Sequence, residues 1–202
     1  LDRIREALLQ AKSARTVVPQ NNDEEVLMEA FQLITTKPVL YVCNVDEASV
    51  KTGNKHVDAV KESVKNENAE VIIITAAMEA EIAGLESYED RQSFLQDIGL
   101  EEPGVNKLIK SAYKLLNLST YFTAGVKEVR AWTITTGMTA PQAAGVIHTD
   151  FERGFIRAEV IAYDDFVKYG SEAACRDNGK LRVEGKEYIV ADGDVMHFRF
   201  NV

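Results

Sequence analysis

The sequence predicts an α/β region built on a parallel sheet, followed by a strand-rich α+β region. Three observations carry this. Val39, Leu40, Tyr41, Val42 and Cys43 form a continuous apolar run of strand formers. Such a run, without alternation, suits a strand covered on both faces by helices. Val71, Ile72, Ile73 and Ile74 form a second, β-branched run, with helical periodicity between and after the two. From Leu118 onward the pattern shifts towards the two-residue alternation of half-buried strands.

In chain order, residues 1–14 place Ile4, Leu8 and Ala11 at helical spacing, with Leu9 widening the stripe. No cap precedes this segment and the chain opens on Leu1 rather than Met, so residues 1–14 read as the end of a longer helical element in a larger protein. After a loop containing Pro19, Asn22 with Glu25 three residues on looks like a capping box. It opens a helix with the stripe Val26, Leu27, Ala30, Phe31 and Ile34. The first strand follows. Residues 53–66 form an amphipathic helix with Val57, Val60 and Val64 on one side, and residues 69–75 a second strand. Helices are expected over 79–85 and 87–98, and Pro103 starts another through Val105, Leu108, Ile109, Ala112 and Leu116. Two strands are too few for a sheet that folds alone, so residues 1–117 are expected to be half of a domain.

Residues 126–136 read as a strand with Trp132 and Ile134 on one face. Thr139 and Gln142 make a capping box for a short helix over 140–147. Residues 154–162 alternate, with Ile156, Ala158 and Val160 set against Phe155, Arg157, Glu159 and Ile161. Short helical pieces occupy 163–176, and 181–183 with 188–190 read as a hairpin about Glu184 and Gly185. The last strand points Met196, Phe198, Phe200 and Val202 inward, and His197 and Arg199 outward. Two strands, a helix and then more strands suggest a ubiquitin-like β-grasp unit over residues 118–202.

Composition narrows the function classes. A hydrophobic fraction of 46% is ample for a core, and the net charge of −9 argues against binding DNA or RNA through overall charge. Residues 1–117 carry thirteen Lys/Arg against twenty Asp/Glu, and residues 118–202 carry ten against twelve. The second part is therefore the better candidate for an RNA-facing surface. Cys43 and Cys175 make no disulfide framework or zinc site; Cys43 reads as a buried strand residue, and Cys175, beside Arg176 and Asp177, as an exposed one. No apolar run is long enough to span a bilayer, and the expectation is a cytoplasmic protein without a membrane partner.

The first strand delivers Asn44, Val45, Asp46 and Glu47 at its carboxyl end, where open α/β sheets bind ligands. A strand followed by Asn-Lys-x-Asp is the base-reading motif of P-loop GTPases. Here Val45 replaces the Lys and Glu47 the specificity Asp. This variant, together with the stretch from Ile147 through His148, Asp150, Phe151, Arg153, Phe155 and Arg157 to Ile161, resembles the YchF (Obg-like) family of nucleotide-binding translation factors. The resemblance covers nearly the whole chain, and the chain covers only part of the family's protein. It implies that residues 1–117 are the C-terminal half of a P-loop NTPase domain, with 1–14 the end of a helical hairpin insertion. It also implies that 118–202 are a TGS domain, a module linked to RNA and ribosome-associated proteins.

In a GTPase the Lys lays its stem over the base and the Asp accepts from guanine's ring N–H and exocyclic amine. Val45 cannot span the base, and Glu47 is one methylene longer, so its oxygens land elsewhere. Adenine offers a ring acceptor in place of guanine's ring donor, and an exocyclic amine that a backbone carbonyl near Val45 can accept. The loop therefore favours ATP over GTP, as the resemblance also implies. Thr75, Ala76 and Ala77 stand where GTPases present backbone amides to the base, so the base-binding set is Asn44, Val45, Glu47, Ala76 and Ala77. Asn44 as a turn residue and Glu47 as a helix N-terminal acid are the structural alternatives.

No G-x-x-x-x-G-K-[ST] occurs; Gly99 and Gly104 have its spacing, but Val105 and Asn106 follow. Phosphate grip, Mg2+ and water activation are expected outside this stretch, so no catalytic residue, metal or bound nucleotide is assigned to it. His148 and Asp150 find no nucleophile elbow and read as core or turn residues; His56 and His197 read as surface residues. Arg153, Arg157, Arg182, Lys186 and Arg199 could share one sheet face as an RNA- or ribosome-contacting patch, the alternative being a solvated face. Two functions stand: part of a ribosome-associated, ATP-preferring nucleotide-binding protein, or a non-enzymatic RNA- or protein-interaction module.

Overall fold

Parallel pairing of two short strands organises the first half of the chain. The computed structural model describes residues 1–67, 69–126 and 128–201, and the chain divides into two units, Leu1–Leu115 and Leu116–Val202. In the first, β1 (Leu40–Asn44) runs parallel to β2 (Glu70–Ile74), with Leu40 opposite Glu70 and Asn44 opposite Ile74. The helices are α1 (Asp2–Leu9), α2 (Asn22–Ala30), α3 (Lys55–Val64), α4 (Ala76–Gly84), α5 (Tyr88–Ile98) and α6 (Gly104–Leu115). α3 is the crossover between the strands. Asn54 caps it by accepting from the His56 and Val57 amides, and its Val57 and Val64 are buried. Ile72, Met78, Ile82 and Leu95 complete the buried set around β2, α4 and α5.

Several local expectations are corrected. α1 ends at Leu9, and the chain turns at Ala11 with φ 55, so Ala11 leaves the stripe; Ile4 and Ala7 are the buried residues, and Leu8 and Leu9 are exposed. The cap of α2 is Asn21, whose side chain accepts from Glu24 N–H at 2.9 Å, one residue before the Asn22 and Glu25 pair. Extended backbone at Asn21 lets its side chain reach back over the first turn. The stripe Val26, Leu27, Phe31 and Ile34 is exposed. β1 is not covered on both faces either: Val42 is 41% exposed and Cys43 only partly buried. A hydrophobic run marks the capacity to be buried, and Val42 shows that this capacity is only partly used.

The second unit is a five-stranded mixed sheet in the order β4-β3-β7-β5-β6. Its strands are β3 (Leu118–Ala124), β4 (Val129–Thr135), β5 (Phe155–Ala162), β6 (Arg182–Glu184) and β7 (Asp194–Phe200). Its helices are α7 (Ala140–Ile147), α8 (Thr149–Arg153), α9 (Tyr163–Tyr169) and α10 (Glu172–Asp177). β3 pairs with β7 in parallel, and the other pairings are antiparallel. Tyr121, Ile134, Phe155, Ala158, Val160, Met196 and Phe198 pack one sheet face against Ala140, Ala143 and Ala144 of α7. The Tyr121 hydroxyl donates to Ala143 O at 2.9 Å, and Phe198 meets its ring edge-on. The other face buries Ile161 and Val195 with Cys175, flanked by Phe166 and Tyr169. Gln142 Oε1 accepts the Thr139 N–H at 2.8 Å where α7 begins, as the capping box requires.

Here too the structure revises the reading. Residues 118–124 form a strand that pairs along its whole length with β4. Ile156 does not join Ala158 and Val160: the β5–β7 register shifts between Phe155 and Arg157, which turns Phe155 into the core and leaves Ile156 56% exposed. One irregular residue reverses a two-residue alternation. The hairpin over 181–190 does not form. β6 pairs with β5, while Ile189 makes an isolated bridge to Thr139. Cys175 is fully buried, with its thiol against Asp165 O at 3.6 Å; burial, and then the Asp165 charge, push that thiol up. Met196 and Phe198 face the core as expected, whereas Val202 lies outside the described residues.

Candidate nucleotide-base site

Equal register in β1 and β2 brings their carboxyl ends to one level, so the turns 45–47 and 75–77 lie side by side. The Val45 N–H donates to Ile74 O at 2.9 Å. Asn44 Oδ1 accepts from Ala76 N–H at 3.0 Å, satisfying one of the amides that the first turn of α4 leaves without an intrahelical acceptor. The buried Thr75 hydroxyl reaches Asp46 O at 3.4 Å. Asn44, Glu47, Ala76 and Ala77 are exposed and Val45 is partly buried, so the two tied loops present an open edge. The structure thus brings all five base-set residues together.

Asp46 and Glu47 have different jobs. Asp46 spends its carboxylate on the Ser49 N–H at 2.9 Å, capping a short helical turn over Glu47–Ser49. Glu47 is the first residue of that turn, the helix-terminal position that the sequence left open. Thr75, which the sequence places in the second loop, ties the two loops through its hydroxyl, and one further residue is not legible as a site residue in the sequence. Glu79, in the first turn of α4, accepts from the Gly104 N–H at 2.6 Å and the Val105 N–H at 3.1 Å, so it caps α6 from another helix. Nothing in the linear sequence pairs residue 79 with residue 104. Gly99 and Gly104 also find their explanation here. Gly99 ends α5 with φ 68, and a Cβ on Gly104 would stand 2.8 Å from Glu79 Oε1 and 2.9 Å from Ile74 Cγ2. Their Walker-like spacing is coincidental.

The donor set around Asn44 does not suit Mg2+: Asp46 is engaged as a cap and Glu79 by two amides. No residue of this chain is assigned to it.

In the second unit the five basic residues do not share one face. Arg157 stands opposite Arg199 across β5 and β7, on the same face as Glu159. Arg182 is opposite core-facing Val160; its guanidinium lies over the Tyr188 ring and donates to the Tyr188 hydroxyl at 3.0 Å. That hydroxyl in turn donates to the buried Asp194 at 2.7 Å. Arg153 ends α8, whose Phe151 packs on the α7 side, and Lys186 is exposed in the segment after β6. His148 accepts from the Asp150 N–H at 3.2 Å as the cap of α8, which is a turn role.

Comparison with known proteins agrees with this architecture. Residues 118–201 match the family model YchF-GTPase_C, described as a protein of unknown function (DUF933). A protein of Haemophilus ducreyi named ribosome-binding ATPase YchF is 54% identical over 202 residues, covering 100% of this chain and 55% of its own length. Its Bacillus subtilis namesake is 51% identical over 204 residues, again 100% of this chain and 55% of its own. Along its whole length the chain is similar to proteins named YchF. A solved YchF GTPase of Schizosaccharomyces pombe superposes with a TM-score of 0.83 at 33% identity, over 98% of this chain and 53% of that one. The chain therefore spans about half the length of the YchF relatives it matches. The family model lies within the second unit, whereas the Asn44 loops fall outside it, in the part that the Haemophilus ducreyi relative also aligns.

Among the described residues, no helix is long and apolar enough to cross a membrane.

Proposed function

We propose that this chain is the base-reading and C-terminal part of a cytoplasmic, ribosome-associated nucleotide-binding protein that prefers ATP to GTP. One observation carries the nucleotide reading: the Asn44 side chain locks the loop after β1 to the first amide of α4, where two parallel strands end together. That is the place where open α/β sheets take ligands. Val45 in the Lys position and Glu47 in the Asp position support adenine over guanine. The names carried by the Haemophilus ducreyi and Bacillus subtilis relatives support the ribosome as partner. On this reading residues 1–117 are half of a P-loop NTPase domain, with 1–14 ending a helical hairpin, and 118–202 are a TGS-like β-grasp domain. Mg2+ and the phosphate grip come from elsewhere in the full-length protein, and the chain alone turns over neither nucleotide.

The test is the double substitution Val45→Lys with Glu47→Asp in the full-length protein. It restores the Asn-Lys-x-Asp pattern, and a bidentate base contact is worth about 1–3 kcal/mol. The ratio of GTP to ATP affinity is expected to rise by about ten-fold or more by titration. An unchanged ratio places selectivity elsewhere. The second unit has its own core, which supports a second reading as an RNA- or protein-interaction module. It predicts ribosome binding that is indifferent to nucleotide.

A further inference from the structure

We propose that Arg157, Arg176 and Arg199, gathered by the buried carboxylate of Glu159, form the surface through which the second unit grips backbone phosphates of RNA. The inference deepens the ribosome reading and rests on it. Register creates the cluster. Arg157 faces Arg199 and Glu159 faces His197 across β5 and β7, so all four lie on one side of the sheet. Arg176 comes from α10, which is anchored on that same side by Cys175 packing with Ile161 and Val195. Glu159 Oε2 accepts from Arg199 Nη2 at 3.1 Å and lies 3.7 Å from Arg176 Nη2, while Oε1 lies 3.7 Å from Arg157 Nη2.

Charge decides what this cluster can bind. Glu159 is 8% exposed, whereas the three guanidinium groups remain about half exposed. One negative charge is thus shared by three positive ones. Glu172 offsets one more, through Arg176 at 2.9 Å. Each guanidinium has five N–H donors in a planar fork, so most of its donors still face solvent. The monoanionic phosphodiesters of an RNA backbone match such a set of forks, which Glu159 gathers on one side of the sheet. The same place holds Glu159, Glu172 and His197 with ligand atoms within 4.8 Å of one another, a spacing a cation could use. The three surrounding arginines make it the wrong sign for a metal. The unit's net charge is −2, so any attraction is local, at the three arginines that meet at Glu159.

The experiment measures binding of the 202-residue chain to a fluorescein-labelled oligouridine and to an RNA hairpin, by anisotropy across a salt series, with ribosome co-sedimentation in parallel. The variants are R157A/R176A/R199A, the charge-keeping R157K/R176K/R199K, and R153A/K186A as a charge-loss comparison away from the cluster. Each phosphate contact contributes about 0.7 to the slope of log affinity against log salt for single strands, so the alanine triple is expected to lower that slope by about 2. The loss of affinity between about 50 and about 200 mM salt then shrinks by about sixteen-fold. The lysine triple keeps most of the slope, and R153A/K186A leaves it close to the parent. Trp132 emission and thermal melting verify that each variant is folded. Equal losses in R153A/K186A and the alanine triple overturn the inference in favour of diffuse charge. RNA binding that ignores the alanine triple overturns it while leaving the ribosome reading intact. Ribosome co-sedimentation without RNA binding overturns it in favour of a ribosomal protein as the contact. Absence of both overturns the ribosome reading as well.

Discussion

Replacing Glu79 with Ala tests how firmly α4, which follows the 75–77 turn, is tied to α6. The carboxylate accepts from two N–H groups in the first turn of α6, at 2.6 Å from Gly104 and 3.1 Å from Val105. Loss of a helix cap costs about 0.5–2 kcal/mol, and removing a negative charge from a helix N-terminus about 0.3–1 kcal/mol. Gly104 is buried, so its abandoned amide cannot be repaid fully by water. Together these give an expected loss of about 2–3 kcal/mol for Glu79→Ala. Glu79→Gln keeps one acceptor and is expected to lose about half as much. Trp132, the single tryptophan, lies in the second unit and does not report on this one. Urea unfolding is therefore followed by far-ultraviolet circular dichroism, with hydrogen exchange at Gly104 and Val105 as the local readout. Gly104→Ala adds a coupling test. Its Cβ collides with Glu79 Oε1 and Ile74 Cγ2, so the substitution is expected to be less harmful once Glu79 is already Ala. A Glu79→Ala chain within about 0.5 kcal/mol of the parent, with unchanged exchange at both amides, refutes the cap.

Other outcomes follow from buried groups in the second unit. Tyr121→Phe removes the hydroxyl that donates to Ala143 O and is expected to cost about 1–2 kcal/mol, read by thermal or urea melting through Trp132 fluorescence. Burial alone raises the Glu159 carboxyl, but the Arg199 hydrogen bond and charge, with His197 and Arg176, bring it below the usual 4.5. Its stabilisation is therefore complete above about 4.5 and fades as the pH falls through the lower folded value. The stability gap between parent and Glu159→Gln, about 1 kcal/mol at neutral pH because the arginines are half exposed, should close in acid; a gap independent of pH contradicts the ion cluster. Finally, Cys43 should react with a thiol reagent in the native chain, whereas Cys175 should label only on unfolding; equal labelling rates would show that Cys175 is not sequestered.

What the sequence alone determined was local. Apolar runs announced β1 and β2, Thr139 and Gln142 announced the start of α7, and alternation announced β7, because each depends on residues within a few positions of one another. The pairing of the loops after β1 and β2 was legible for the same reason: Asn44 ends β1, Ala76 lies two residues past the end of β2, and parallel register does the rest. The tertiary structure decided whatever needed distant residues. A shift of one residue in β5 put Phe155 rather than Ile156 into the core, and β6 chose β5 over a hairpin with 188–190. Tertiary packing, not composition, set Val42 at 41% exposure and buried Cys175 against Ile161 and Val195. The arginines divided the same way. Their number was visible in the sequence, but which of them meet depended on the pairing of β5 with β7 and on α10 delivering Arg176 to Glu159. Charge clusters are set by strand register and packing, and a linear sequence contains neither until the chain has folded.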